Sequence, residues 1–160
     1  MKKGEQYTVT ITKLSPNGDG IAEYSPEDST NEGSIKLFIP YTAPHDVLIA
    51  EITEVNAKIS KAKIISLLEE SPMRSTHKLC EYYGHCGGCQ LGHIAPHAQL
   101  VIKKEWIRRL FSDLLPSNNE KKHFDSITII DGPVTGYRYR AQFFRNNNNE
   151  TCFKARASHE

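Results

Sequence analysis

The sequence lacks any long hydrophobic run. The opening residues Met1-Lys2-Lys3 are basic, but the polar stretch that follows has no apolar segment of the kind that a secretion signal needs. No window approaches the roughly 20 apolar residues of a membrane-spanning helix. These absences argue against a membrane protein or an exported one, and we expect a cytoplasmic location.

Cysteine is also scarce, with four residues in a chain of 160. Three of the four, Cys80, Cys86 and Cys89, are crowded into the spacing C-x5-C-x2-C. Such crowding is typical of ligands in a reduced compartment and not of a disulfide framework. The composition, 38% hydrophobic and 24% charged, indicates a soluble globular protein of one domain or two small ones.

The cysteine cluster predicts a metal centre. An iron–sulfur cluster needs a thiolate at each iron, and a two-residue gap lets one tight turn present two sulfurs. Gly87 and Gly88 suit this turn, because residues without Cβ permit positive φ and a close approach of backbone N–H groups to sulfide. We predict that Cys80, Cys86 and Cys89 ligate a [4Fe–4S] cluster and that the fourth ligand comes from elsewhere.

Three other interpretations of this loop remain open. A thiol–disulfide centre would use the C-x2-C pair, although redox pairs usually open a helix after a strand. Three reduced thiols without a ligand are a further alternative, although the loop offers little aliphatic residue to bury them. Zinc accepts three thiolates and an imidazole, and four histidines lie near the loop: His77, His85, His93 and His97.

Charge is unevenly divided although the net charge is only +1. Residues 1–70 contain seven Lys and Arg against eleven Asp and Glu, a balance of −4. Residues 71–160 contain thirteen against eight, a balance of +5. The second half is therefore the better candidate for contacts with phosphate, with a solvated charged face as the alternative.

Residues 1–70 have the pattern of a small β-barrel. Polar and apolar residues alternate in several short segments, and Asn17-Gly18-Asp19-Gly20 supplies turn chemistry between two of them. Roughly five short strands in this length indicate a barrel of the OB type. The predicted strands are 7–13, 21–24, 35–40, 47–52 and 58–64.

The remainder predicts a cysteine-rich loop over residues 71–95, one amphipathic helix over 96–116 and an incomplete antiparallel β domain over 126–160. Pro96 suits the first turn of a helix. The predicted packed stripe of this helix contains Leu100, Ile107, Phe111 and Leu114, with Glu105 and Arg109 opposite. The predicted strands of the last domain are 127–130, 138–144 and 152–156, with a hairpin loop at 146–149.

Short motifs follow one another in a fixed order along the chain. They are NGDGIA at 17–22, LFIPYTAPHD at 37–46, SPMR at 71–74, CGGCQ at 86–90 with His93 after it, QL and Lys103 at the start of the helix, and GYR at 136–138. In this order they resemble the iron–sulfur RNA (uracil-5-)-methyltransferases, whose members begin with a TRAM domain. The resemblance spans essentially the whole chain, and it implies a TRAM barrel, a [4Fe–4S] cluster and binding to rRNA or tRNA.

The chain departs from this family at three places. His45 stands where the family turn has glycine, so the φ angles of that turn are open to change. Relatives continue past a pair like Ser158-His159 to the fourth cysteine of the cluster, whereas this chain ends at Glu160. Cys152 lies upstream of that pair, and we do not expect it to replace the missing ligand. We expect these 160 residues to lack the S-adenosylmethionine-binding domain of the family, with its nucleophilic cysteine and general base.

The resemblance implies a mechanism in which an enzyme thiolate adds to uracil C6 before C5 is methylated. We predict that the chain alone is inactive, because S-adenosylmethionine would bind only in a full-length enzyme that includes the missing C-terminal methyltransferase domain. The cluster is then expected to be structural. A free-standing RNA-binding module with zinc or no metal, or a remnant of a truncated gene, remains the alternative.

RNA recognition is still expected of the chain, since barrels of this class bind single-stranded or looped RNA by stacking and backbone contacts. Tyr7, Tyr24 and Phe38 are candidates for stacking on bases, with packing in the protein as the alternative. The predicted phosphate contacts are Arg74, Lys78, Arg138 and Arg140.

Overall fold

The computed structural model describes residues 1–24, 34–56, 59–77, 80–112 and 127–156. Contacts within the chain divide it into two compact units. The first unit comprises Met1–Gly84 and Cys89–Ile94, and the second comprises His85–Gly88 and Ala95–Glu160. Within the described part of the chain, no helix combines the length and the apolar character needed to cross a bilayer.

Six strands of the first unit form one curled sheet. They are β1 (Gln6–Thr10), β2 (Lys13–Leu14), β3 (Gly20–Tyr24), β4 (Ile35–Ile39), β5 (Val47–Glu54) and β6 (Ile59–Glu69). Their order in the sheet is β1-β5-β6-β4-β3-β2, and the pairs are antiparallel except for β4 with β6. This architecture confirms the predicted OB-like β fold.

The two outer strands of this sheet are consecutive in the chain. Only Ile11 and Thr12 separate β1 from β2, yet β1 and β2 stand at opposite ends of the strand order. At this junction the Ile11 N–H donates to the Asp46 carbonyl at 2.9 Å, and the Thr12 N–H donates to the Ile21 carbonyl at 2.9 Å. One continuous stretch therefore supplies both ends of the sheet, which requires the sheet to curl.

Alternation along the strands explains the core. In β5 the side chains of Leu48, Ala50 and Ile52 are buried, and the residues between them are half-buried. Successive side chains of a strand point to opposite faces, so alternate apolar residues line one face. Together with neighbours from the other strands they form the core: Val9, Ile11, Ala22, Leu37, Ile39, Leu48, Ala50, Ile52 and Ala62.

Two glycines of the NGDGIA motif are fixed by the backbone and by a close neighbour. Gly18 has φ of +81°, in the left-handed region that favours glycine. A Cβ on Gly20 would lie 1.8 Å from Oγ1 of Thr42, a buried residue that donates to the Ile39 carbonyl at 2.8 Å. The motif is therefore needed for the turn and for the packing of β3.

The second unit contains helix α1 (Pro96–Ser112), which begins at the predicted proline. Its buried side chains are Ala98 and Ile102, whereas Ile107 and Phe111 are exposed and Leu100 is half-buried. The predicted stripe is therefore wrong for Ile107 and Phe111, and Leu114 lies outside the described residues. Ala98 and Ile102 have the same helical spacing as the predicted residues but lie on a neighbouring stripe. Periodicity alone therefore could not show which stripe is buried.

A short hairpin follows in the second unit. Strand β7 (Phe144–Arg145) pairs antiparallel with β8 (Thr151–Cys152), and the Asn146 N–H donates to the Glu150 carbonyl at 3.1 Å across the turn. The predicted hairpin loop is correct. Residues 127–130, 138–143 and 153–156 are not strands, contrary to the prediction. High β-propensity needs a partner strand to become sheet, and Ile130 is 94% exposed.

Candidate functional site

The carboxylate of Asp46 joins the sheet to the first residues of the cysteine-rich loop. This side chain is fully buried, at 0% exposure. It accepts hydrogen bonds from the backbone N–H of Ala43 at 2.6 Å and of Ser71 at 2.9 Å. It also accepts from Nε of Arg74 at 2.9 Å and from Nη2 at 2.7 Å. Four donors satisfy the buried charge and fix residues 71–74 against the turn at 41–46.

That turn contains two residues other than glycine with positive φ. Tyr41 has φ of 63° and His45 has φ of 74°. The N–H of His45 donates to the Ile11 carbonyl at 2.7 Å, which fixes the turn beside the junction of β1 and β2. His45 thus adopts a conformation that glycine adopts without strain, and the positive φ is present although glycine is not.

Tyr83 and His93 hold the segments on either side of Cys86 and Cys89. The Tyr83 hydroxyl lies 3.1 Å from the Gln90 carbonyl and 2.5 Å from Nδ1 of His93. Nε2 of His93 lies 2.9 Å from the Thr42 carbonyl, which can only accept, so Nε2 carries the proton. Both ring nitrogens of this histidine, one of those considered for zinc, are therefore engaged in hydrogen bonds.

Ring packing adds to this arrangement in the first unit. The rings of Tyr83 and Tyr41 meet edge to face with centroids 5.6 Å apart, and the Tyr41 hydroxyl donates to the Gly84 carbonyl at 3.1 Å. A Cβ on Gly92 would come within 2.7 Å of the Tyr83 ring, so the ring requires glycine there. Residues 83–84 and 90–93 are thus anchored to the turn at 41–46.

The three clustered cysteines are free thiols. Cys80 and Cys89 are exposed, and Cys86 is half-buried. The N–H of Gly88 donates to Sγ of Cys86 at 3.3 Å, the kind of contact that lowers the charge on a ligating sulfur. The N–H of Gly87 donates to the Lys154 carbonyl at 2.9 Å, and a Cβ on Gly87 would lie 3.0 Å from that oxygen. Neither Gly87 nor Gly88 has positive φ, so that part of the prediction for this turn is wrong, and the approach of their N–H groups to sulfide stays a prediction.

Thiols suit iron and zinc, so the chemistry of these donors fits the predicted centre. Across the ranges that the structure describes, no three His, Cys, Asp or Glu side chains are grouped as ligands of one metal ion. The assignment of Cys80, Cys86 and Cys89 to a [4Fe–4S] cluster, or to zinc, stays a prediction. The fourth cysteine, Cys152, lies in β8 opposite Phe144.

Of the four predicted phosphate contacts, Arg74 has a clear structural role. Its side chain is 18% exposed, and besides Asp46 it donates from Nη2 to the Tyr41 carbonyl at 3.1 Å. Its phosphate contact stays a prediction, and Lys78 lies outside the described residues. Arg138 and Arg140 are exposed. Their guanidinium carbons lie 5.6 Å from the ring centre of Tyr137 and 5.8 Å from that of Tyr139.

The aromatic residues of the sheet are used mainly in packing. The rings of Tyr7 and Tyr24 lie 4.6 Å apart and pack against the core, and Phe38 is half-buried. The Tyr7 hydroxyl donates to Oε2 of Glu5 at 2.5 Å. This bond raises the pKa of Tyr7 to about 12, and it lowers the pKa of Glu5. Tyr139, at 91% exposure, and Tyr137, at 59%, are instead open to solvent.

A cavity in the second unit was not predicted from the sequence. Its volume is about 370 Å³, and it lies between the first turns of α1 and residues 130–134 and 137. The helix contributes Gln99, Leu100 and Lys103, which form the sequence motif at the start of the helix. Tyr137 comes from the GYR motif. Both motifs were visible in the sequence, but nothing local indicated that they share one cavity.

Residues 1–65 match the family model of the TRAM domain, and the curled sheet of the first unit is this domain. Similarity extends beyond it to RNA methyltransferases. The chain is 32% identical over 143 residues to an uncharacterized RNA methyltransferase of Enterococcus faecalis, a match that covers 89% of this chain and 29% of that protein. These matches confirm the predicted TRAM domain and the resemblance to RNA methyltransferases, and they leave the iron–sulfur part a prediction.

Two further similar proteins match only part of this chain. The chain is 33% identical over 101 residues to the 23S rRNA (uracil(1939)-C(5))-methyltransferase RlmD of Acinetobacter baumannii, over 62% of this chain and 22% of that protein. A solved structure of a conserved protein from Methanococcus maripaludis is 27% identical, covers 41% of this chain and 83% of its own, and has a TM-score of 0.34. The chain spans about a quarter of the length of the curated relatives it matches, between 22% and 29%.

Proposed function

We propose that this chain is the RNA-recognition and [4Fe–4S]-binding region of an S-adenosylmethionine-dependent RNA (uracil-5-)-methyltransferase acting on rRNA or tRNA in the cytoplasm. The observation that carries the proposal is similarity to an RNA methyltransferase over 89% of the chain, well past the end of the TRAM domain. The name of the Acinetobacter relative favours rRNA as the substrate.

RNA would be bound through the basic half of the chain. Residues 137–140 alternate tyrosine and arginine, and all four side chains are exposed. Exposed rings offer stacking surfaces for unpaired bases, and guanidinium groups contact phosphates. Arg138 and Arg140 are the cations best placed for this role in the described residues, and Lys78 is proposed as a further contact.

The cysteine loop would be the metal-binding element. Cys80, Cys86 and Cys89 would provide three thiolate ligands, with the Gly88 N–H already directed at one of the sulfurs. A bound cluster would cross-link the loop. It would take no part in the methyl transfer. Tyr83 and His93 hold the chain on either side of Cys86 and Cys89, which lowers the entropy cost of ordering that part of the loop when a ligand binds.

Methyl transfer itself would require groups outside these 160 residues. The chain corresponds to 22–29% of the length of its relatives, which leaves most of a complete enzyme unrepresented. We propose that the S-adenosylmethionine site, the nucleophilic cysteine and the general base belong to that remainder. Incubation of this chain with S-adenosylmethionine and RNA should therefore give no methylated uridine.

Anaerobic purification followed by iron, sulfide and zinc analysis tests the metal assignment. We expect iron and acid-labile sulfide in the wild-type chain and their loss in the Cys80→Ala, Cys86→Ala and Cys89→Ala variants. Cys152→Ala is the matched control, because it removes the one cysteine outside the cluster. Stoichiometric zinc, or iron retained by all three variants, would overturn the assignment.

Filter binding of single-stranded RNA at two salt concentrations tests RNA recognition. Each phosphate contact adds about −0.7 to the slope of log K against log salt for single strands. Arg138→Gln with Arg140→Gln should therefore make that slope shallower by about 1.4. Lys61→Gln with Lys63→Gln removes the same charge from β6, where both lysines pair with glutamates, and should leave the slope unchanged. Salt-independent binding would contradict the proposal.

A further inference from the structure

The cavity in the second unit has two walls of different character. One wall is helical, where Gln99, Leu100 and Lys103 lie along the first turns of α1. The other is formed by the irregular segment 130–134 and by Tyr137. Its volume of about 370 Å³ lies near the lower end of the range of ligand pockets, about 300–1,000 Å³. The size therefore suits one small ligand or one unit of a polymer.

The chemistry of the walls narrows the class of ligand. Leu100 and Val134 provide apolar surface, and Tyr137 adds an aromatic ring that is 59% exposed. The guanidinium carbon of Arg138 lies 5.6 Å from the centre of this ring. Lys103 is an exposed residue of the wall formed by the helix, and it adds a positive charge there. A flat, polarisable ring with an attached anion complements this combination better than a purely apolar molecule or a bare anion.

Asp131 excludes a simple anion site. This residue lines the cavity, and its Oδ1 accepts the Gly132 N–H at 2.7 Å. A carboxylate repels inorganic phosphate but accepts hydrogen bonds from the N–H groups on base edges. The opposite charges of Lys103 and Asp131 thus suit a ligand that has both a phosphate and a base.

We propose that this cavity binds a single unpaired nucleotide of RNA, with the base stacked on Tyr137 and its phosphate contacted by Lys103. The proposal rests on the RNA-binding function proposed above and adds a base-binding site to it. Arg138 would then contact the neighbouring phosphate while it covers the ring of Tyr137. The site requires the nucleotide to be unpaired, because a base within a duplex presents no free face for stacking.

Fluorescence of a single-stranded RNA octamer with one 2-aminopurine, titrated with the full chain, measures both affinity and stacking of the base. Loss of one stacking contact weakens binding by roughly fivefold to a hundredfold, and we expect this range for Tyr137→Leu. Tyr137→Phe keeps the ring and should bind as the wild type does. Lys103→Gln should make the salt slope shallower by about 0.7, whereas the matched control Lys61→Gln should not.

The outcomes separate this site from RNA binding in general. If the wild-type chain binds the octamer and Tyr137→Leu and Lys103→Gln bind equally well, the nucleotide site is refuted and RNA recognition stands. If the wild-type chain does not bind, both proposals fail. Stronger competition by millimolar inorganic phosphate than by chloride at the same ionic strength would also refute the site, since Asp131 should exclude phosphate. Circular dichroism of each variant checks the fold, which these exposed positions should leave intact.

Discussion

Replacing Arg74 with methionine should lower the free energy of unfolding of the first unit by about 3–5 kcal/mol. The arginine donates two hydrogen bonds to a carboxylate with 0% exposure, that of Asp46. Hydrogen bonds to charged groups contribute about 1.5–3 kcal/mol each, so two of them account for a loss of this size. Methionine retains much of the aliphatic length but leaves the buried anion without its cation.

The surface pair Lys61–Glu54 provides the control. Its Nζ and Oε2 atoms are 2.6 Å apart, as close as the atoms of the buried pair, but the side chains are 64% and 55% exposed. Water screens exposed ion pairs, so Lys61→Met should leave the free energy of unfolding close to that of the wild type. Equal distance with unequal burial thus separates the effect of desolvation from that of contact.

Urea unfolding followed by circular dichroism gives both free energies, provided that the dependence on urea has the same slope in each variant. Hydrogen exchange of the Ala43 and Ser71 amides gives a local measurement, because both amides donate to Asp46. We expect faster exchange at these two amides in Arg74→Met and not in Lys61→Met. A cost for Arg74→Met as small as that of the control would refute the reasoning.

Three further outcomes are expected. At position 45, whose φ is 74°, glycine should give a protein about 1 kcal/mol more stable than alanine in urea unfolding, and equal stabilities would contradict the strain. Gly20→Ala should cost about 1–3 kcal/mol by the same assay, because its Cβ would meet Thr42, whereas Gly4→Ala meets nothing within 4 Å and tests only the effect of φ. The raised pKa of Tyr7 adds stability that is complete below its ordinary value of 10 and is lost as pH rises through about 12. Thermal unfolding between these pH values should be less pH-dependent in Tyr7→Phe, and an unchanged profile would count against the Glu5 bond.

The first unit was well predicted because its signals are local. Alternation of polar and apolar residues has the same period as a strand, and Gly18 marks a turn that only a few residues can make. The second unit was predicted less well for a physical reason. Residues 127–130 and 138–143 have strand-like composition, but pairing depends on distant partners that composition does not reveal.

The site shows the same division between local and distant information. The two glycines after Cys86 were expected to have positive φ, and they do not, although the Gly88 N–H donates to Sγ of Cys86. The pairing of Arg74 with Asp46 was missed because the two residues are 28 positions apart and nothing near either of them indicates the other. The cavity was missed likewise, since Lys103 and Tyr137 belong to separate motifs.

The buried carboxylate of Asp46 determines how much polypeptide must be synthesised before the TRAM domain is complete. The family match ends at residue 65, yet three of the four donors to this carboxylate come from Ser71 and Arg74. On the ribosome, a nascent chain that has every strand of the sheet still holds an uncompensated anion until Arg74 has emerged from the exit tunnel. A protein shortened at residue 70 would have the same defect, and we expect it to be less stable than one that includes Arg74.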